Sequence, residues 1–132
     1  MALKKFTYRG KTIEELKELD IKEFMKLVPS RTRRALLHGF SDAQKALLVK
    51  IDLALKGVRK KPVKTHCRDM IVLPKMVGLT IQIHNGKEFS PVLIEPEMLG
   101  MRLGEFSMTR RKVEHSAPGL GATKSSGAVS AR

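Results

Sequence analysis

Aromatic residues, cysteine, acidic side chains and long apolar runs are all scarce in this sequence. There is no tryptophan, and aromatics make up 5% of the 132 residues, so a core built from the 42% hydrophobic content must be mostly aliphatic. That much apolar material in so short a chain supports one modest domain. The single cysteine, Cys67, cannot form an internal disulfide, which fits a reducing compartment and makes the cytoplasm the expected location. No apolar run approaches the length needed to span a bilayer, and the opening MALKKFTYRGK lacks the apolar segment of a secretory signal. Acids number 13 against 26 basic residues, leaving a net charge of +13. Such an excess in so short a chain implies a polyanionic partner or strong self-repulsion; nucleic acid is the first candidate and an anionic membrane, for which no signature is present, the second.

What is present is clearest between residues 71 and 111. Thr80 to His84 reads TIQIH, with Ile81 and Ile83 alternating on one face, and Asn85-Gly86 follows at once. That dipeptide tolerates the positive φ angles of a two-residue hairpin turn. A returning strand is expected over residues 88–94, where Phe89, Val92, Leu93 and Ile94 favour extended backbone and Pro91 marks an edge or a bulge. The run EPEMLGMRLGEFSMTRR comes next, and the spacing of Gly100 and Gly104 around Leu103 implies close backbone approach or positive φ.

Asn85, Gly86, Lys87, Ile94, Leu99, Gly100, Leu103, Gly104, Glu105, Phe106 and Thr109 together fill a long spaced pattern without a departure. In it the chain resembles the small-subunit ribosomal protein nineteen family, whose eukaryotic member is protein fifteen of the small subunit. The similarity extends upstream through VKTHCRDMIVLPKMVGLTIQIHNG and so covers about the last half of the chain, while the tail HSAPGLGATKSS resembles the archaeal and eukaryotic branch. The resemblance implies a non-catalytic structural constituent of the small subunit, bound to ribosomal RNA of its head. It further implies protein thirteen as a neighbour, a place near the bridge to the large subunit, and a tail directed toward A-site and P-site transfer RNA. The alternative consistent with the charge alone is a structured-RNA or DNA-binding protein outside the ribosome.

The remaining chain reads as additions to that stretch. Thr12 with Glu15, and Asp20 with Glu23, have the spacing of capping boxes ahead of two short helices. Ile21, Phe24, Met25 and Val28 share a face of the second helix, which Pro29 closes. Ser30 is expected to cap a turn carrying Arg31, Arg33 and Arg34. Ser41 with Gln44 starts the longest helix, about residues 42–56, with Ala43, Ala46, Leu47, Ile51, Ala54 and Leu55 as its buried stripe and Gly57 after its end. The segment RKKPVKTHCR reads as a basic arm outside the core, leading into a strand at residues 70–73. The expected fold is α+β, N-terminal helices followed by a three-stranded sheet near residues 70–73, 80–84 and 88–94. Its parts are a helical portion over 1–57, the arm and signature core over 58–111, and a flexible basic tail over 112–132 whose Gly- and Ser-rich composition cannot offset the entropy of ordering alone.

Enzymatic and metal chemistry find no support in the spacing. His38, His66, His84 and His115 are scattered, and Cys67 beside His66 points a different way along the backbone. GLGATKSS has Thr123 where a phosphate loop needs glycine, and Glu95, Glu97 and Glu105 read as surface charges around a short helix near residues 96–101. No cofactor, metal or small-molecule substrate is expected. Basic residues instead fall in clusters: Arg31, Arg33 and Arg34; Arg59, Lys60, Lys61, Lys64 and Arg68; Arg110, Arg111 and Lys112 after Thr109; with Lys75 and Arg102 near the glycine turns. Each can contact phosphates, and the shortage of aromatics favours recognition of backbone and shape over base stacking.

Overall fold

A computed structural model of the chain describes residues 6–59, 61–112 and 122, so Lys60 and nearly all of the expected tail lie outside the described residues. Four helices come first: α1 (Ile13–Glu18), α2 (Ile21–Leu27), α3 (Ser30–Leu37) and α4 (Asp42–Leu55). Three of them, α1, α2 and α4, begin where a side chain satisfies free N–H groups of the first turn. Thr12 and Glu15 form a reciprocal capping box on α1, as do Ser41 and Gln44 on α4. Asp20 caps α2 differently, accepting from the N–H of Ile21 at 2.8 Å without a return bond from Glu23. Pro29, not Ser30, holds the cap position of α3, and Ser30 is already helical.

Helix α4 buries a narrower stripe than its composition suggests. Leu47 and Ile51 are buried, with Gln44, Leu48 and Ala54 half-buried beside them, whereas Ala43, Ala46 and Leu55 face solvent. The buried set follows the i, i+3, i+4, i+7 rhythm, and Ala43 and Ala46 lie outside it, while Leu55, one turn after Ile51, is exposed as the last residue of the helix. Gly57 follows the helix with φ +71°, as a C′ glycine should.

The sheet is three-stranded and mixed, but its first strand is not residues 70–73. Strands β1 (Val63–Thr65), β2 (Thr80–His84) and β3 (Phe89–Leu93) lie in the order β1-β2-β3, with β1 parallel to β2 and β2 antiparallel to β3. The expected basic arm therefore contains a strand: Val63 and Thr65 point inward and are buried while Lys64 points out. Residues 70–73 serve as the buried crossover that a parallel pair requires. Met70, Ile71, Val72 and Leu73 are all buried. Their backbone pairs with the glycine run, Val72 N–H to Met101 O at 2.8 Å, Gly100 N–H to Val72 O at 3.2 Å and Leu103 N–H to Met70 O at 2.9 Å. Four buried residues in succession have no solvent face, so this segment cannot show the alternation of a half-exposed strand. In place of the short helix near residues 96–101 there is a 3-10 turn at Pro96–Met98.

The β2–β3 turn is centred one residue later than Asn85-Gly86. Asn85 N–H donates to Glu88 O at 3.0 Å, making Gly86 and Lys87 the central pair. Asn85 closes the turn with its side chain, Oδ1 accepting from Lys87 N at 3.0 Å and Glu88 N at 2.9 Å. Gly86 has φ +104°, a conformation that side-chain-bearing residues rarely adopt. Because Asn85–Glu88 and Leu79–Ile94 carry ladder bonds, alternate pairs such as His84–Phe89 and Gln82–Pro91 do not. Pro91 thus turns its nitrogen to the free edge, where its missing donor breaks no bond.

One hydrophobic core joins both halves: Leu16, Phe24, Val28, Leu36, Leu47 and Ile51 from the helices meet Val63, Met76, Ile81, Ile83, Ile94 and Leu103. Arg68 fastens its edge. Nη1 donates to His84 O at 2.6 Å, and Nη2 to Gly104 O at 2.8 Å and Ser107 O at 2.7 Å. Its own carbonyl accepts from Gly104 N at 2.8 Å. A Cβ on Gly104 would stand 3.0 Å from both the Cβ and the backbone oxygen of Arg68, so any other residue would press the Arg68 backbone outward by a few tenths of an ångström.

Replacing Arg68 with Met should leave three carbonyls without their charged donor and destabilise the fold by about 2–4 kcal/mol, read as a lowered midpoint in denaturant. An unchanged midpoint would show that the clamp carries no stability. Gly86→Val should cost on the order of 1–2 kcal/mol by placing a β-branched residue at positive φ. Thermal melting of the purified variant tests this, and an unaltered transition would contradict the turn.

Candidate nucleic-acid interface

The basic side chains divide by what their nitrogen atoms already hold. Arg33, exposed on α3, folds back on the end of α2: Nε donates to Met25 O at 2.9 Å, and Nη2 to Lys26 O at 3.3 Å and Val28 O at 3.2 Å. These are the carbonyls a helix C-terminus leaves without partners, where positive charge is favoured. Arg33 and Arg68 are therefore occupied inside the molecule, which reduces their freedom to meet phosphates.

Arg31 and Arg34 belong to a different face of α3. With His38 they repeat at i, i+3 and i+7, and Arg102 reaches the same hollow from the glycine run, Ala35 forming its floor. Arg102 is set there by the Ile71–Arg102 bridge and by its N–H donating to Glu105 Oε2 at 3.3 Å. Thr32, between the two arginines in sequence, donates to Gly100 O at 3.1 Å and ties α3 to that run. Among the described residues the ion pairs are Lys45–Asp42 and Arg111–Glu88, so Arg31, Arg34 and Arg102 have no carboxylate partner there. Asp69, in the adjoining hollow, accepts from Gln44 Nε2 at 2.6 Å. Sequence reasoning left out His38, although its helical spacing from Arg31 was available to find it.

A second basic surface lies around the hairpin end of the sheet. Lys64 and Lys87 are exposed there, as are Thr109, Arg110, Arg111 and Lys112 after the Arg68 clamp, while Lys61, also exposed, precedes β1 at the opposite end. Arg111 pairs with Glu88 and holds this departing segment to the turn. Lys64 Nζ sits 5.2 Å from the centre of the Phe89 ring. Lys75 joins neither surface. It rims an apolar groove lined by Leu16, Leu19, Phe24, Leu48 and Leu73.

Among the described residues no group of three or more His, Cys, Asp or Glu could hold a metal ion, and no helix is long and apolar enough to cross a membrane. What the geometry offers is positive charge held on a rigid frame, suited to phosphate oxygens.

A family model described as Ribosomal protein S19 matches residues 34–115, from the second arginine of the α3 hollow through the glycine run and the basic segment after it. The family is structural, not enzymatic, and its members are ribosomal proteins of the small subunit that bind ribosomal RNA. The match spans more than half of the chain and includes β1, β2, β3, Arg68 and its carbonyl acceptors, and the protein belongs to the ribosomal protein S19 family.

Proposed function

We propose that this protein is a structural constituent of the small-subunit head in cytoplasmic ribosomes, where it fixes the path of ribosomal RNA by phosphate contacts from two basic surfaces. The observation that carries this reading is the convergence of Arg31, Arg34 and Arg102 on one hollow without a carboxylate partner among the described residues. The packed helix and glycine run fix where the three side chains start, so RNA binding has only their exposed guanidinium arms left to order. The second surface is built from Lys64, with Thr109, Arg110, Arg111 and Lys112 where the chain leaves the fold; Lys60, Lys61 and Lys75 are proposed as outlying contacts. Arg33 and Arg68 act by shaping these surfaces.

The finer placements come from the resemblance. Protein thirteen as a neighbour, proximity to the large-subunit bridge, and a tail serving A-site and P-site transfer RNA fit a chain whose composition after Lys112 is small, polar and basic.

Exchanging Arg31, Arg34 and Arg102 together for Ala should weaken binding to head-domain RNA. It should also reduce the slope of log affinity against log salt by roughly 2, at about 0.7–0.9 for each phosphate no longer neutralised. Arg33→Ala is the contrast: stability should fall while the slope is kept. Equal slopes for the triple variant and the wild type, measured by filter binding, would exclude the hollow from the interface. Deleting residues 115–132 should leave subunit incorporation largely intact and alter transfer-RNA binding. Normal transfer-RNA occupancy on subunits carrying the shortened chain would remove the tail from that role.

A further inference from the structure

The sheet has two faces, and the outer one gathers two histidines and a phenylalanine in a single row. Parallel register sets Thr65 beside Ile83, so His66, one residue on, lies beside His84; antiparallel register sets His84 opposite Phe89. His84 and Phe89 form a pair without ladder bonds, the geometry that brings facing side chains closest. The three rings meet: His66 to His84 at 4.3 Å with planes 35° apart, His66 to Phe89 at 5.1 Å and His84 to Phe89 at 4.9 Å, both edge-on. The turn holds the His84 ring, whose Nδ1 accepts from Gly86 N–H at 3.1 Å. His66 is the exposed member of the trio, with Phe89 half-buried beneath Lys64.

Resting on the reading of the chain as an RNA-binding ribosomal protein, the geometry points to this His66–His84–Phe89 cluster as a seat for one unpaired base of ribosomal RNA, its flanking phosphates held by Lys64 and Lys87. An aromatic surface alone would suit an apolar protein side chain equally well. The surrounding charge decides for RNA: Lys64 lies over the Phe89 ring, Lys87 is exposed in the adjoining turn, and the one acid of the turn, Glu88, is paired with Arg111. Rings that accept a base together with cations that accept its phosphates are the combination by which single-stranded nucleotides are held. The low aromatic content argues against a long stacking track, and one seat does not require one.

The test uses small subunits assembled with the full chain. Ultraviolet cross-linking of the wild-type particle should join a nucleotide to the peptide carrying His66 or Phe89. In particles carrying His66→Ala with Phe89→Leu, which keeps apolar volume beneath Lys64, chemical probing should show one short unpaired stretch gaining reactivity on the order of tenfold. Elsewhere the footprint should be unchanged. Unaltered reactivity in particles that contain the variant, or cross-links from this peptide to another protein and none to RNA, would overturn the seat. If the variant does not enter particles, the wild-type cross-link alone decides, its absence counting against the seat. Failure of the wild-type chain to bind ribosomal RNA at all would instead overturn the underlying reading.

Discussion

The guanidinium of Arg68 is the interaction on which the arrangement turns. It donates to carbonyls from β2, from the glycine run and from the residue that opens the departing basic segment. No two of these three segments are joined by a regular ladder at that point, so without a planar multi-donor cation their carbonyls would compete for water at the edge of the core. A lysine could not replace it, since a single ammonium cannot reach three acceptors spread across a planar fork. The close approach of Gly104 to the Arg68 backbone follows from the same contact and gives the Leu-Gly-Glu-Phe run a structural reason.

Charge in this protein therefore does two separate things. Arg33 and Arg68 neutralise carbonyl dipoles and hold elements together, while Arg31, Arg34 and Arg102 remain without acidic partners among the described residues and form a surface. Charge counting alone cannot tell the two apart. Arg33 and Arg34 are adjacent in sequence, yet about 100° of helical rotation separates a cap for α2 from a wall of the hollow.

Much of the fold was legible in the residues. The capping boxes at Thr12 and Ser41 fixed two helix starts, TIQIH announced β2, and the spaced glycines carried the family resemblance. Strand β1 was hidden because three residues within a charged run give no periodicity, and its partner lies on the far side of the crossover. Residues 70–73 misled for the opposite reason: an apolar run of four is compatible with any buried segment. The hollow was legible in part, through the spacing of Arg31 and Arg34. The acceptors of Arg33 and Arg68 are backbone carbonyls, which leave no mark on composition, and the His66–His84–Phe89 row exists only once β1 has its register.

The placement of Pro91 matters for the protein before it meets RNA. On the outer edge of β3 the backbone groups of Phe89, Pro91 and Leu93 point away from β2, and the middle position has no N–H. A second strand laid along that edge would find no donor opposite its central acceptor. The sheet thus ends chemically as well as geometrically at β3, and on that side a chain waiting in solution for its RNA presents no continuous edge on which another copy can extend it.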